Sequence, residues 1–488
     1  MSIPEEIKRV PRPKSTVVKY AFGRYLVIKR TSKRVPGKKT PRVVDLGTIG
    51  EIKDGKYIEI RELPKKKENK KAIDIKDYGT FAVAHQVGES LYRDLKEVFR
   101  EKDADKLYAM ALLRSIDIDI KNRDIQMSYQ TSYLSEVLPN IVLSENTIAT
   151  FLKETGMEYS LIRKFLLERS KKFTGKKQII DGTLKDNNSI ENDFSEFSRK
   201  GRIKGSKDIS LLYSFDLESK EPVLMKVYSG NMIDKRGILD FIKTFALNNS
   251  ILVMDKGFNS KANLIAFKKI DNLTFILPLN RKDKMLYIND MYEGISHPLL
   301  NKEITILCKS KKVSEDTFIY SFRDPKIASE EEIAYTKKHQ DNGDFFNETY
   351  EKDKKEFGVI SFITNKELSF EEVYEAYTSR WEIEIMFNMM KDIIDLDTVN
   401  VHNDYSIIAS EFINYLAVII SQRIKKLFKE TKLVENKATS KSILQTYSYK
   451  QVMKFLSKIK KIKIDSNWET NYPSNCKYIQ ELGEKLGV

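Results

Sequence analysis

Apolar positions along the chain change their period several times. Over residues 17–60 they alternate with polar ones, as in Val17-Val18-Lys19-Tyr20, Arg24-Tyr25-Leu26-Val27-Ile28, Arg42-Val43-Val44 and Tyr57-Ile58-Glu59-Ile60. Pro36-Gly37, Gly47 and Gly55 punctuate the runs, a pattern that predicts a small antiparallel β unit. Pro64–Lys71 reads as a charged linker. From about 78 to 172 the period lengthens. Val87, Leu91, Leu95 and Phe99 recur every four residues, and Leu107, Met110, Leu112 and Leu113 continue an apolar face, which predicts helices. Ser144-Glu145-Asn146-Thr147 ahead of Ile148, Phe151 and Leu152 reads as an N-cap. A helix-turn-helix DNA reader and a plain helical bundle fit this stretch equally.

Residues 173–280 carry short apolar runs at Gln178-Ile179-Ile180, Ile209–Tyr213, Val223-Leu224-Met225, Ile251–Met254 and Thr274–Leu277. Helical segments at Gly237–Leu247 and Lys261–Lys269 alternate with them, so the fold class is α/β with a partly parallel sheet. Residues 281–356 turn to charged β-type segments such as Ile304–Lys309 and Thr317–Phe322, with a loop at Asp341-Asn342-Gly343, and read as an insertion. A long helical stretch is expected from Ser369, with breaks, to about 460.

Charge sharpens this division. The chain of 488 residues has a formal charge of +15, but residues 1–71 hold a net +13 and residues 423–463 a net +11, leaving 72–422 at −7. Basic ends around an acidic centre suit a polyanion held at both ends with carboxylates between, although Lys-rich solvated faces give the same totals. Two cysteines and four scattered histidines supply neither a disulfide framework nor a Cys/His zinc site. The acidic start Met-Ser-Ile-Pro-Glu-Glu is unlike a secretory signal, and the apolar stretch near Leu416–Ile420 reads as too short for a bilayer, so a cytoplasmic protein without membrane contact is expected.

Two acids share one context: Asp181 follows Gln178-Ile179-Ile180 and precedes Gly182, and Asp255 follows Ile251–Met254 and precedes Lys256-Gly257. A buried strand ending in an acid puts a carboxylate where ligands of α/β folds gather, and Strand-Asp-Gly is also ordinary turn chemistry. Two such sites could jointly hold a hard divalent cation. A third acid comes from Tyr377-x2-Arg380-x3-Glu384-x6-Lys391. At about 100° per residue these four fall near 0°, 300°, 340° and 320°, one stripe beside an apolar face made by Ile383, Met386, Phe387, Met390 and Ile394. Glu382, near 140°, projects elsewhere. The stripe is expected to aim its carboxylate at the sheet and its cations outward; an i, i+4 ion pair of Arg380 with Glu384 is the plainer account.

Taken in order, Asp181-Gly-Thr, Asp255-Lys-Gly-Phe and Tyr-x2-Arg-x3-Glu-x6-Lys resemble the DDE transposases of bacterial insertion sequences, in the group with the Tyr-Arg-Glu-Lys signature and a β-rich insertion before the catalytic Glu. The 129 residues from Asp255 to Glu384 leave room for that insertion. The resemblance implies a ribonuclease H-like core in which Asp181, Asp255 and Glu384 are catalytic and bind two Mg²⁺ or Mn²⁺ ions. It further implies that Tyr377, Arg380 and Lys391 hold DNA phosphates. The implied activity is cleavage at terminal inverted repeats and transfer of the ends to target DNA by a homodimer in a synaptic complex, in the bacterial nucleoid. The implied domains are a basic β-rich unit (1–72), a helical DNA-binding region (73–172), the catalytic domain (173–280 and 357–425), the insertion (281–356) and a basic helical C-terminal region for DNA binding or dimerisation (426–488). Some relatives stack a flipped base on an insertion tryptophan; Trp381 and Trp468 both lie outside the insertion here, leaving Tyr287, Phe318 or Phe345. A metal-dependent nuclease without strand transfer, or a non-catalytic DNA-binding descendant, are the rival readings.

Overall fold

The computed structural model describes residues 3–34, 41–60, 73–117, 120–187, 189, 191–198, 205–232, 234–247, 249–300, 304–342, 346–393, 399, 401–435 and 439–488. The linker Pro64–Lys71, the Pro36-Gly37 turn, Gly343, Phe345 and Ile394 lie outside the described residues. The chain forms two compact units, Met1–Asp74 and Ile75–Val488.

The first unit is an antiparallel meander of β1 (Thr16–Ala21), β2 (Arg24–Lys33), β3 (Arg42–Lys53) and β4 (Lys56–Glu59). Its alternating pattern buries Val18, Val27 and Ile52 with Val10 in a small core of its own. On the polar side Lys19 and Arg30 each bond Asp45 at 2.8 Å, and these hydrogen bonds hold its carboxyl down at about 2.

The second unit opens with β5 (Ile75–Asp77) and helices Gly79–Lys96, Glu101–Ile116, Ile125–Thr131, Glu145–Met157 and Tyr159–Lys171. The Ser144 hydroxyl accepts from Thr147 N–H at 3.4 Å, so the N-cap read from the sequence is formed. Then come β6 (Lys177–Asp186), β7 (Glu196–Phe197), β8 (Lys207–Asp216), β9 (Pro222–Ser229), β10 (Ile251–Met254), β11 (Thr274–Pro278), β12 (His297–Leu300), β13 (Thr305–Ser314), β14 (Thr317–Arg323) and β15 (Val359–Thr364). They make one sheet in the order β12-β13-β14-β15-β11-β10-β6-β8-β7, with β9 also on β8. Strand β10 runs parallel to both β6 and β11, and the other pairings are antiparallel.

Two expectations need correction. Residues 281–356 are not mainly β: between β14 and β15 stand helices Pro325–Asn342 and Asn347–Lys354. Asp324 caps the first, its Oδ1 accepting from Lys326 N–H at 2.9 Å and Ile327 N–H at 3.2 Å, with Pro325 at the first helical position. The strands of this segment extend the central sheet through β15 rather than forming a separate β layer. The C-terminal stretch is likewise not simply helical. It holds hairpins β16 (Lys432–Glu435) with β17 (Thr439–Ser442) and β18 (Lys460–Ile464) with β19 (Asn467–Asn471), and β18 pairs with β5.

The core of this unit is built around the helix Asp404–Glu430, which packs on helices Gly79–Lys96, Glu101–Ile116 and Glu145–Met157 and on β9. At 27 residues, with a mean hydropathy of 1.3 over an 18-residue window, it is long and apolar enough to cross a membrane, contrary to the reading of Leu416–Ile420 as too short, yet 89% of that window is buried inside the protein. A Cβ at Gly156 would collide with the Tyr405 backbone, so glycine permits the close approach of its first turn. The helix also carries a buried polar chain. Lys185 of β6 bonds Glu411 at 2.7 Å with both side chains sealed from solvent. Asn414 Nδ2 donates to Glu411 at 3.1 Å, and Arg114 donates to Asn414 at 2.6 Å and to Ser410 O at 3.2 Å. These bonds join the central sheet to the N-terminal helices through one helix.

Removing one member of this chain strands a buried charge. Lys185→Ala is expected to lower unfolding free energy by about 3–5 kcal/mol, and the double change Lys185→Met with Glu411→Leu to recover most of it. Denaturant unfolding of the single and double variants measures both.

Candidate active site

The site begins with a register. In the parallel pair β6–β10, Ile180 lies opposite Met254, so the next residues, Asp181 and Asp255, stand side by side. Strand β6 does not end at its acid, as expected, but continues to Asp186 paired with β8. The opening exists because β10 stops at Met254 and gives way to the 3₁₀ turn Lys256–Phe258. Asp181 is therefore half-buried in mid-strand with one open flank, and Asp255 sits at the rim.

Across β6–β8, Asp181 pairs with Tyr213, whose ring packs edge-on against Phe387 at 5.8 Å. Phe387 belongs to the helix Trp381–Asn388, which buries Ile383, Met386 and Phe387 and leaves Glu384 exposed. That packing sets Glu384 within reach of Arg380, which also contacts Asp255. The helix is not the continuous one assumed by the wheel. A preceding helix ends at Thr378, residues 379–380 form the joint, and a π-turn covers Met389–Ile393.

Arg380, at the joint, does not reach outward. Its guanidinium lies between two of the acids, 3.4 Å from Asp255 Oδ1 and 3.3 Å from Glu384 Oε1. The i, i+4 pair is thus real, and it is half of a bridge. Burial pushes the Asp181 carboxyl up to about 6, opposed by the Gly182 N–H that donates to its Oδ1 at 2.8 Å, with the charges of Asp255 and Glu384 adding to the rise. Among the described residues no three acid, His or Cys side chains lie close enough as they stand to enclose a metal ion. As donors, three carboxylates suit a hard divalent cation; as the chain stands, the positive charge between two of them, Asp255 and Glu384, is Arg380.

The remaining predicted residues are placed differently. Tyr377 is half-buried with its ring on Phe362 at 4.8 Å. Lys391, carried by the π-turn, donates to Leu184 O at 2.8 Å on β6. Glu382 turns away to an ion pair with Lys220. Of the insertion aromatics, Phe318 is buried and the Tyr287 hydroxyl donates to Glu356 at the insertion itself. Trp381, set aside in the sequence as lying outside the insertion, is 57% exposed in the first turn of the helix that carries Glu384.

Comparison with known proteins bears on this centre. Residues 175–406 match the family described as transposase DDE domain. Among solved structures, the chain is similar to a piggyBac transposase in a synaptic complex with hairpin DNA, at 10% identity, TM-score 0.37 and 84% of each chain covered. It is also similar to the Mos1 transposase in a paired-end complex with the left transposon end, at 12% identity and TM-score 0.15, over 34% of this chain and 56% of that one. No curated protein matches in sequence. DDE transposases use divalent metal ions, in accord with the acids gathered here.

Asp181 gives the centre a pH signature. Its pKa in the fold, about 6, exceeds the ordinary 3.8, so the folded chain holds the proton more tightly than the unfolded one. The ionised carboxylate therefore weighs against folding fully above about pH 6, and that burden lifts as pH falls toward 4. In metal-free protein Asp181→Asn is expected to raise stability at neutral pH by about 1–3 kcal/mol, with the gain vanishing in acid. Thermal unfolding across pH measures it; a pH-independent difference contradicts it.

Proposed function

We propose that this chain, whose residues 175–406 match the transposase DDE domain, is a DNA transposase in which Asp181, Asp255 and Glu384 form the centre that cuts transposon ends and joins them to target DNA. The observation that carries this is the β6–β10 register, which sets two acids side by side under a helix bearing the third. The strand order β9-β8-β6-β10-β11, a three-stranded meander followed by two parallel strands, agrees with a ribonuclease H-like core. The three acids would hold two Mg²⁺ or Mn²⁺ ions, which supply an activated nucleophile and a stabilised leaving oxygen for in-line attack at phosphorus.

The chain's own groups do the rest. Water attacks an end phosphodiester and releases a 3′-hydroxyl; that hydroxyl then attacks a target phosphodiester, forming one P–O bond as another breaks. Arg380 bridges Asp255 and Glu384 and offsets part of their negative charge. With divalent ions held by these acids, its planar fork would be available for a bidentate phosphate contact beside them. Lys391, bonded to Leu184 O three residues beyond Asp181 on β6, and Tyr377, on the helix before the joint, would add further phosphate contacts. Two copies would bring two terminal inverted repeats together, with the basic unit 1–72 and the helical region 73–172 gripping DNA. The setting we assign is the bacterial nucleoid, and the element an insertion sequence.

Asp181→Asn, Asp255→Asn and Glu384→Gln are each expected to abolish Mg²⁺- or Mn²⁺-dependent cleavage of end DNA with DNA affinity retained, whereas Glu382→Gln stays active. Joining of a labelled end to a plasmid separates transposition from simple nuclease action; cutting without joining would reduce the reading to a nuclease. Deleting 1–71, which removes a net +13, should weaken DNA binding and flatten its salt dependence. An unchanged slope of log affinity against log salt would mean that this unit does not touch DNA.

A further inference from the structure

Away from the carboxylates, a groove of about 570 Å³ opens between the helix Tyr449–Leu456 and the start of the helix Gly79–Lys96. One wall carries Lys450, Lys454 and Lys458, all exposed and spaced by four residues. The first two ride the helix, and Lys458 lies in the turn that closes it, its N–H donating to Phe455 O at 3.1 Å. Along the helix Lys450 and Lys454 stand about 6 Å apart in rise, and Lys458 extends the row past its end. Like charges four residues apart on one face oppose each other, so the row favours an anion laid along it.

The groove is fixed by backbone. Tyr78 and Gly79 N–H groups donate to Ile459 O at 3.3 and 3.1 Å, and a Cβ at Gly79 would collide with Leu456 O. Of the two acids that line it, Asp77 is engaged by Lys460, and Asp117 on the far wall accepts from the Ser128 hydroxyl at 2.9 Å while burial pushes its carboxyl up. A rigid cleft thus presents a row of cations at regular intervals, in the same compact unit as the carboxylate centre.

We propose that this groove grips the backbone of duplex DNA, with Lys450, Lys454 and Lys458 following successive phosphates of one strand. A sugar-phosphate backbone is the anion whose charges repeat along a line as these lysines do, and a single small anion would engage only one of them. The inference rests on the reading of the chain as a DNA transposase and adds to it a second anchoring point in the C-terminal stretch.

The test is the salt dependence of end-DNA binding by the full chain. Lys450→Gln/Lys454→Gln/Lys458→Gln should flatten the slope of log affinity against log salt by about 0.9 for each phosphate no longer neutralised, and Lys454→Gln alone by about 0.9. Both variants change exposed side chains, and an unchanged thermal midpoint confirms that they fold. An unchanged slope in both overturns the proposal. So does a slope that stays constant while sedimentation shows altered self-association, which would assign the groove to a second copy of the chain. End cleavage by the wild-type protein, measured in parallel, keeps the two readings apart. Wild-type cleavage with unaltered slopes in the variants defeats the groove alone, and flattened slopes without wild-type cleavage defeat the catalytic reading alone.

Discussion

The parallel pairing of β6 with β10 is the constraint on which the candidate centre depends. Two apolar runs, Gln178-Ile179-Ile180 and Ile251–Met254, pair side by side, and a slip of one residue would exchange the face that each side chain presents. The register that satisfies packing also sets Asp181 against Asp255. Because β10 stops while β6 continues, backbone pairing holds one acid rigidly and leaves the other at a rim. The third acid is placed by aromatic packing, Phe387 on Tyr213, rather than by backbone hydrogen bonds.

Such an arrangement is costly for the fold. Asp181 is held in a partly desolvated position near two other acids, and the compensation visible in the chain is Arg380, shared between Asp255 and Glu384. A cluster that strains the metal-free protein and relaxes with added positive charge is the physical counterpart of a metal-dependent enzyme. The scaffold absorbs the strain through the helix Asp404–Glu430, whose buried Glu411 fastens Lys185, four residues beyond Asp181 on the same strand. The centre is thus braced from behind by an ion pair and opened in front by the end of a neighbouring strand.

Much of this was legible in the sequence. Short apolar runs ending in acids were visible as such, and the Tyr-Arg-Glu-Lys spacing pointed to the helix that supplies the third carboxylate. What stayed hidden depended on tertiary context. No local signal says that β6 runs on through Asp181-Gly182, because continuation is decided by pairing with β8. The helical wheel assumed one uninterrupted α-helix, and the joint at 379–380 and the π-turn at Met389–Ile393 redirect Arg380 and Lys391. Asp324-Pro325 is a recognisable start signal for the helix Pro325–Asn342, but the helix buries no residue, so no apolar face marks its period in the sequence. The apolar core of Asp404–Glu430 was underestimated because its polar members, among them Glu411 and Asn414, interrupt the run while being buried themselves.

The central claim is that three carboxylates distant in sequence serve one metal-binding centre. Loading the protein with Fe²⁺ in place of Mg²⁺ and generating hydroxyl radicals at the bound iron cuts the backbone close to each ligand. The account expects fragments from cuts near 181, 255 and 384 together, suppressed in common by excess Mg²⁺ and lost in common in Asp255→Asn. Cuts confined to one of these segments, or persisting unchanged in that variant, would contradict it.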